Sequence, residues 1–259
     1  MHRDELIRIE KWYGQFIEPY RSHGSQDPGI AFALKMKLDH TERVVHEMDG
    51  LTRALALPGQ QRNLALAIAR LHDIGRFPQV VEYGTIADAG SIDHASLGVR
   101  ILREDTLLDH LDDEDRNLLL TAIQHHNSLV LPDTLNEREL HYCRLIRDAD
   151  KLDIFKVIIE TDRNGTPTDQ NTALLGLQNL DTVTSEVLRA IDEKRLVHLK
   201  HVHSRNDYRL LVLAWVFDLT FAHTRSEVKR RGYVNALADG LPDTPEVIAR
   251  IDIIRTALA

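Results

Sequence analysis

The sequence predicts an all-α protein, and three observations support this prediction. Apolar residues recur at i, i+3 and i+4 along most of the 259 residues, strict alternation of apolar and polar residues is scarce, and turn residues fall between the helical patterns. Together they predict helices at Glu5–Tyr20, Gly29–Ala56, Gln60–Arg76, Ile92–Arg103, Asp112–Asn127, Glu137–Thr161, Thr182–Glu193, Tyr208–Arg231 and Pro245–Leu258.

Capping and turn residues justify the ends of several of these helices. Asp112 precedes an acidic first turn, which the helix dipole favours. Thr244 is a typical N-cap, and Pro245 occupies the first helical position after it. At the other end of a helix, Gly75 with Pro78 is expected to close the third helix.

One segment shifts clearly in composition toward turn residues, "DRNGTPTDQN" at Asp162–Asn171. It predicts a core over residues 1–165, including an N-terminal helix, and a C-terminal helical extension over residues 166–259 that packs on the core. The longest apolar run, Leu210–Ala222, is too short to span a bilayer and contains Asp218. We therefore interpret it as part of a buried helix.

Composition and charge narrow the range of functions. A chain of this length can bury an enzyme-sized core. Its single cysteine, Cys143, allows no disulfide within the chain, and the sequence opens without a signal-peptide pattern, so we expect a cytoplasmic protein. The net charge of -8 disfavours a nucleic-acid polymer as partner, and no membrane partner is expected. A small anionic ligand is compatible with this net charge, because its binding site needs only local positive charge.

Histidine and aspartate side chains adjoin strongly apolar runs at five places in the first 155 residues. Buried ionisable groups are costly unless they are paired or bind metal, so their occurrence on several core helices predicts that they converge. Imidazole and carboxylate together suit Fe, Mn, Zn or Co better than Mg or Ca. Three other histidines, His46, His110 and His223, are interpreted as ordinary structural residues. The five places are His40, His72-Asp73, His94, His125-His126 and the segment Asp148–Asp153.

The order of these residues resembles a known signature. His40, His72-Asp73 and Asp150 follow the H...HD...D pattern of the HD-domain superfamily of metal-dependent phosphohydrolases. The phrases "HTERV", "LHDIGR", "DHASLGVRIL", "IQHH" and "RDADKLD" carry the resemblance, which spans Leu38–Phe155. It implies an HD-domain helical bundle with additional C-terminal helices.

The same resemblance implies a set of metal ligands. With His94 and the His125-His126 pair, the chain is similar to extended members that bind two divalent transition-metal ions, here Fe, Mn, Co or Zn. Asp73 would bridge the two ions, and Asp148 is the alternative to Asp150. The first ion would be held by His40, His72, Asp73 and Asp150, and the second by Asp73, His94, His125 and His126.

Such a metal pair implies hydrolysis of a phosphate ester through a metal-bound hydroxide. Asp73 and Lys151 are the predicted catalytic residues, and Arg43, Arg76 and Lys151 the predicted substrate-binding cations, since developing negative charge needs fixed positive groups. Arg43 could equally pair with a local carboxylate. Arg76 could instead be a basic residue at a helix end without a role in substrate binding.

The sequence lacks motifs that are typical of two branches of the superfamily, and this narrows the range of expected substrates. The cyclic-di-GMP hydrolases carry Gly-Tyr-Pro after their paired histidines, where this chain has "HHNSLVLPDTL", and the stringent-response hydrolases carry Glu-Asp where it has Arg76-Phe77. The predicted partner is a small phosphorylated molecule, a nucleotide or a phosphodiester, and a homo-oligomer is possible. Two alternatives stay open, an HD-type di-iron oxygenase and a nucleotide sensor with a vestigial metal site.

Overall fold

The computed structural model describes residues 1–21, 23 and 27–258, and it confirms the all-α prediction because no strand occurs among them. Two 3₁₀ turns, Leu199–His201 and Trp215–Asp218, accompany the α-helices. The α-helices are α1 (Arg3–Arg21), α2 (Pro28–Ala54), α3 (Gly59–Leu71), α4 (Arg76–Tyr83), α5 (His94–Glu104), α6 (Asp113–His125), α7 (Glu137–Asn164), α8 (Pro167–Ala173), α9 (Ser185–Asp192), α10 (Arg205–Ala214), α11 (Ala222–Arg230), α12 (Tyr233–Ala238) and α13 (Pro245–Ala257).

The chain forms two compact units, Met1–Asp153 and Ile154–Ala259. The division falls inside α7, which runs without a break from Glu137 to Asn164. The turn-rich segment Asp162–Asn171, which predicted a boundary near residue 165, begins in the last turn of this helix. Its residues also start α8, because Thr166 and Asp169 form a capping box around Pro167 in the first turn.

The predicted helix Gln60–Arg76 is wrong over its last five residues, and the error concerns the central motif. Helix α3 ends at Leu71, a turn follows, and α4 begins at Arg76. Pro78 was expected to stop a helix, but it lies in the first turn of α4, where a missing backbone N–H is tolerated. His72 and Asp73 therefore lie in a break between two helices.

The predicted helix Tyr208–Arg231 is also wrong as a single element. Helix α10 ends at Ala214, the 3₁₀ turn Trp215–Asp218 follows, and α11 begins at Ala222. The apolar run continues through the break, so hydrophobic periodicity could not show where the helix ends. Residues Leu210–Ala214 are buried in the second unit, as expected of a core helix.

The first unit is built around α3. This helix packs against α1, α2 and α6, while α5 packs against α6. Val44 and Met48 of α2 and Leu64 and Ile68 of α3 are fully buried, which gives the apolar faces that hold these helices together. None of the helices in the described ranges is long and apolar enough to cross a membrane.

Gly75 brings the turn after α3 into direct contact with α5. A Cβ atom added at Gly75 would collide with the backbone carbonyl of His94 and would lie 2.8 Å from the backbone N of Gly98. Gly98 is itself close, since its own added Cβ would lie 3.5 Å from the N of Gly75. The absence of a side chain at Gly75 therefore allows the turn that carries Asp73 to touch the helix that begins at His94.

We expect Gly75→Ala to lower the free energy of unfolding by about 1–3 kcal/mol or more, because the new methyl group meets backbone atoms that cannot move independently. The measurement is urea unfolding followed by circular dichroism. The matched control is Gly14→Ala in α1, where an added Cβ has no atom within 4 Å. This control should be neutral or stabilising by up to about 1 kcal/mol, and equal losses in both variants would contradict the close-approach explanation.

Candidate metal centre

Six of the predicted ligands converge in the first unit, and most of them lie at helix ends. His40 and Asp150 lie within α2 and α7, whereas the other four occupy breaks or termini. His72 is the C-cap of α3, Asp73 follows it in the turn, His94 is the first residue of α5, and His126 is the C-cap of α6. The side chains of the four histidines and Asp73 are 0–3 % exposed, and that of Asp150 is 14 % exposed.

The first group of possible ligands consists of His40, His72 and Asp150. The Nε2 atom of His40 lies 3.1 Å from Oδ1 of Asp150, and that of His72 lies 3.7 Å from the same oxygen. Asp73 adds its Oδ2 atom, which is 3.6 Å from His40 Nε2 and 3.7 Å from His72 Nε2. Two imidazoles and two carboxylates thus surround one point, a donor set that suits a divalent transition metal.

The second group consists of Asp73, His94 and His126. Here Asp73 uses its other oxygen, because Oδ1 lies 3.3 Å from Nε2 of His94 and 3.6 Å from Nε2 of His126. The two Nε2 atoms are 2.9 Å apart. The two oxygens of Asp73 therefore face different groups, which is the arrangement of a carboxylate that bridges two cations.

Every histidine of the two groups has its Nδ1 atom held by an acceptor. His72 Nδ1 lies 2.8 Å from the carbonyl oxygen of Ala69, and His126 Nδ1 lies 2.7 Å from that of Ile123. Carbonyl oxygens can only accept, so both Nδ1 atoms donate their protons and both Nε2 atoms present lone pairs to the cluster. Such outer partners commonly fix the tautomer and orientation of metal-binding histidines.

The other two histidines are held by matching chains of three residues. His40 Nδ1 lies 2.7 Å from Oδ2 of Asp153, whose Oδ1 accepts from Arg43 Nε at 2.6 Å. His94 Nδ1 lies 2.8 Å from Oδ2 of Asp88, whose Oδ1 accepts from Arg76 Nη1 at 2.8 Å. Each group thus contains one histidine whose outer nitrogen is held by an Arg–Asp pair.

The charges and pKa values of the cluster favour the binding of a cation. Burial lowers the pKa of His72 to about 4, and burial together with the charge of Arg76 lowers the pKa of His94. Burial alone would raise the pKa of Asp73, but Lys37 and the neighbouring histidines hold it well below its usual range. Burial therefore favours neutral imidazoles at His72 and His94, beside these carboxylates. At His40, by contrast, hydrogen bonds to Asp150 and Asp153 outweigh burial and the charge of Lys37, so its pKa is raised.

An acceptor-rich cluster of this kind is unfavourable without a positive charge at its centre. His72 Nε2 is buried and has no hydrogen-bond partner among the described residues. With protons on their Nδ1 atoms, His94 and His126 also point two lone pairs at each other across 2.9 Å. A divalent cation coordinated by these atoms would remove both conflicts, so the residues present fit metal binding.

The remaining predicted site residues lie in different surroundings. His125 is only half-buried, its Nδ1 lies 3.3 Å from Ser128 Oγ, and it joins neither group in the part of the chain that is described. Consecutive helical residues point about 100° apart, so one histidine of the pair faces the cluster. Asp148 is buried but joins neither group among the described residues. Lys151 is buried next to Asp150 in α7.

The predicted cations Arg43 and Arg76 contact the outer carboxylates of the cluster. Arg43 binds Asp153 through both Nε and Nη2. The Nη1 atom of Arg76 donates to Gln79 and Asp88, and its Nε atom lies 3.8 Å from Asp73 Oδ1. Both arginines therefore support ligand histidines, while substrate binding by them stays a prediction.

Sequence reasoning missed two contributors to the cluster. Lys37 donates to Asp73 Oδ2 at 2.8 Å, and Asp88 holds His94. Lys37 precedes His40 by three positions on α2, so helical spacing could have placed it on the same face. Asp88 lies in the segment between α4 and α5, where no periodicity relates it to His94.

Comparison with known proteins identifies one family. Residues 38–154 match the model of the HD domain, and the match ends within one residue of the first compact unit. No curated protein and no solved structure matches the chain significantly.

We expect His126→Ala to lower the metal content by about one ion per chain, since His126 supplies Nε2 to the second group. His125→Ala is the matched control and should retain the wild-type metal content. The measurement is elemental analysis of proteins purified without added metal or chelator. Equal losses in the two variants, or none in His126→Ala, would contradict the geometry described above.

We expect Asp153→Asn to weaken metal binding about 10- to 100-fold, the usual effect of replacing an outer partner of a ligand histidine. The amide keeps the size of the side chain but cannot accept from both His40 and Arg43 as an ionised carboxylate does. Metal affinity is measured by competition with a chromogenic chelator. Asp49→Asn is the control, because Asp49 of α2 pairs with Arg53 of the same helix and with Arg62 of α3 and contacts none of the proposed ligands in these pairs. A similar affinity for both variants would show that Asp153 does not support His40.

Proposed function

Because this chain contains an HD domain, and so belongs to the HD-domain superfamily of metal-dependent phosphohydrolases, we propose that it hydrolyses a phosphate ester of a small molecule. A nucleotide or a phosphodiester is the proposed substrate, and two divalent transition-metal ions are the proposed cofactors. The observation that supports this best is Asp73, whose two oxygens face two separate groups of nitrogen and oxygen ligands.

The six converging residues are the proposed ligands of these ions. His40, His72 and Asp150 would hold one ion, His94 and His126 the other, and Asp73 both. When bound, divalent ions of this kind lower the pKa of water toward neutrality and polarise phosphoryl oxygens for attack. The donor set of four imidazoles and two carboxylates is compatible with Fe, Mn, Co or Zn.

The residues around the ligands would keep the site rigid and dry. The imidazole rings are oriented by Asp153, Asp88 and two backbone carbonyl groups, so their Nε2 atoms do not need to reorganise. The side chains of His40, His72 and Asp73 are almost completely buried, which excludes bulk water from the inner face. Asp150 is the most exposed ligand, and we therefore place the approach of the substrate on its side of the cluster.

A small anionic substrate is compatible with the charge of the chain. The net charge of -8 would repel a polymer of phosphates over a long surface. Close to the cluster, by contrast, Lys37, Arg43 and Arg76 supply local positive charge. A single phosphoryl group would meet this local field, whereas a long polyanion would also meet the acidic surface. A cytoplasmic location and a homo-oligomer stay predictions.

We expect the wild-type protein to hydrolyse at least one member of a panel of phosphomonoesters, phosphodiesters and nucleotides, with the rate depending on added Mn, Fe, Co or Zn. Asp73→Asn should lower kcat/KM by more than about 100-fold, because even outer partners of metal ligands contribute about 10- to 100-fold. Asp49→Asn again serves as the control. Release of phosphate or of the alcohol is measured by chromatography.

Three outcomes would contradict this proposal. Consumption of oxygen with iron bound and an organic substrate present would indicate an oxygenase. Tight binding of a nucleotide without turnover would indicate a sensor. Hydrolysis that persists in Asp73→Asn at the wild-type rate would show that the measured activity arises elsewhere.

A further inference from the structure

Lys37 is a positive group in contact with the cluster that no motif assigns to a role. It lies on α2, three residues before His40, and its Nζ atom is 2.8 Å from Oδ2 of Asp73. This oxygen is the one that faces His40 and His72. Lys37 therefore contacts the first group directly, at the oxygen proposed to bind the first ion.

The exposure of Lys37 places it at the edge of the cluster. Its side chain is 12 % exposed, close to the value for Asp150 and above that of the other proposed ligands. Lys37 and the ligand Asp150 are thus the side chains at the first group that are most exposed to solvent. A phosphoryl group entering from solvent would meet the Lys37 ammonium before it reached the buried histidines.

The hydrogen-bonding capacity of Lys37 is only partly used. An ammonium group has three donors, and among the described residues Asp73 is the single side chain or backbone group that accepts from it. Two N–H groups remain for other acceptors. Phosphoryl oxygens are strong acceptors for such charged donors.

The two arginines near the cluster are committed to the outer carboxylates. Arg43 donates hydrogen bonds to Asp153 from two nitrogens. The Nη1 atom of Arg76 donates to Gln79 and Asp88. Moving either guanidinium to a substrate would release a carboxylate that orients a histidine. Lys37 can add a phosphoryl contact while its contact with Asp73 persists, because one nitrogen serves several acceptors.

We propose that Lys37 is a substrate-binding residue that donates hydrogen bonds to a phosphoryl oxygen at the solvent edge of the first ligand group. This inference rests on the proposed function and names the group that holds the anion. Because its ammonium also contacts Asp73, Lys37 would position the phosphoryl group beside the bridging carboxylate. Arginine at this position would keep the charge and several donors, whereas methionine would keep only the apolar part of the side chain.

The test compares Lys37→Met, Lys37→Arg and Lys35→Met with the wild type, all loaded with the same metal. Lys35 is the control because it is exposed on the same helix and pairs with Asp39. Inorganic phosphate is the probe, and its Kd is measured by isothermal titration calorimetry. Metal content is measured on the same samples, and the fold is checked by circular dichroism.

We expect Lys37→Met to weaken phosphate binding by about tenfold or more, the effect of losing a hydrogen bond from a charged donor. Lys37→Arg should stay within about threefold of the wild type, and Lys35→Met should be unchanged. The metal content should be the same in all four proteins. For any ester that the wild type hydrolyses, Lys37→Met should raise KM more than it lowers kcat.

Several results would overturn the inference. Wild-type phosphate affinity in Lys37→Met, or no phosphate binding by the wild type, would exclude the proposed contact. Loss of metal or of the fold in both Lys37→Met and Lys37→Arg would assign Lys37 to the structure of the cluster instead. Failure of the proposed function is distinct, since it would leave phosphate binding dependent on Lys37 while no ester is hydrolysed.

Discussion

The Asp73 carboxylate is the interaction on which the rest of the site depends. A buried carboxylate is costly unless positive charge or hydrogen bonds compensate it. Each oxygen of Asp73 lies within 4 Å of two imidazole nitrogens, and Lys37 and Arg76 approach opposite oxygens. One residue thus joins the two ligand groups, so the position of its backbone determines whether both can form.

The fold holds that backbone in place through a break between two helices. Because α3 ends at Leu71, His72 is its C-cap and Asp73 lies in the turn that follows. From there the two side chains reach residues of α2, α5 and α7 and the C-cap of α6. Gly75 then allows the turn to touch the backbone at the start of α5. A buried helix end needs partners for its free backbone groups, and here the carbonyl groups of Ala69 and Ile123 accept from ligand histidines. The hydrogen bonds that orient the histidines therefore also satisfy backbone carbonyl groups at these helix ends.

The charged residues around the ligands act at two different positions. Arg43 with Asp153 and Arg76 with Asp88 act on the outer nitrogens of His40 and His94, which keeps their inner nitrogens aimed at the cluster. Lys37 acts on the inner face, at Asp73. This separation explains how a chain with net charge -8 can still present positive charge at one small site.

Sequence alone determined the helical class, the residue types of the site and the family, because each leaves a local trace in periodicity or in a short motif. Helix periodicity is visible wherever one face is buried, and "HTERV", "LHDIGR" and "RDADKLD" each lie within a few residues. Only the tertiary structure decided three other features. These are the break after Leu71, the orientation of His126 rather than His125 toward the cluster, and the different neighbours of the two Asp73 oxygens. The physical reason is that these features depend on contacts between helices far apart in the chain, such as Asp73 with His126 and His40 with Asp153, and no local pattern encodes the distance between two packed helices.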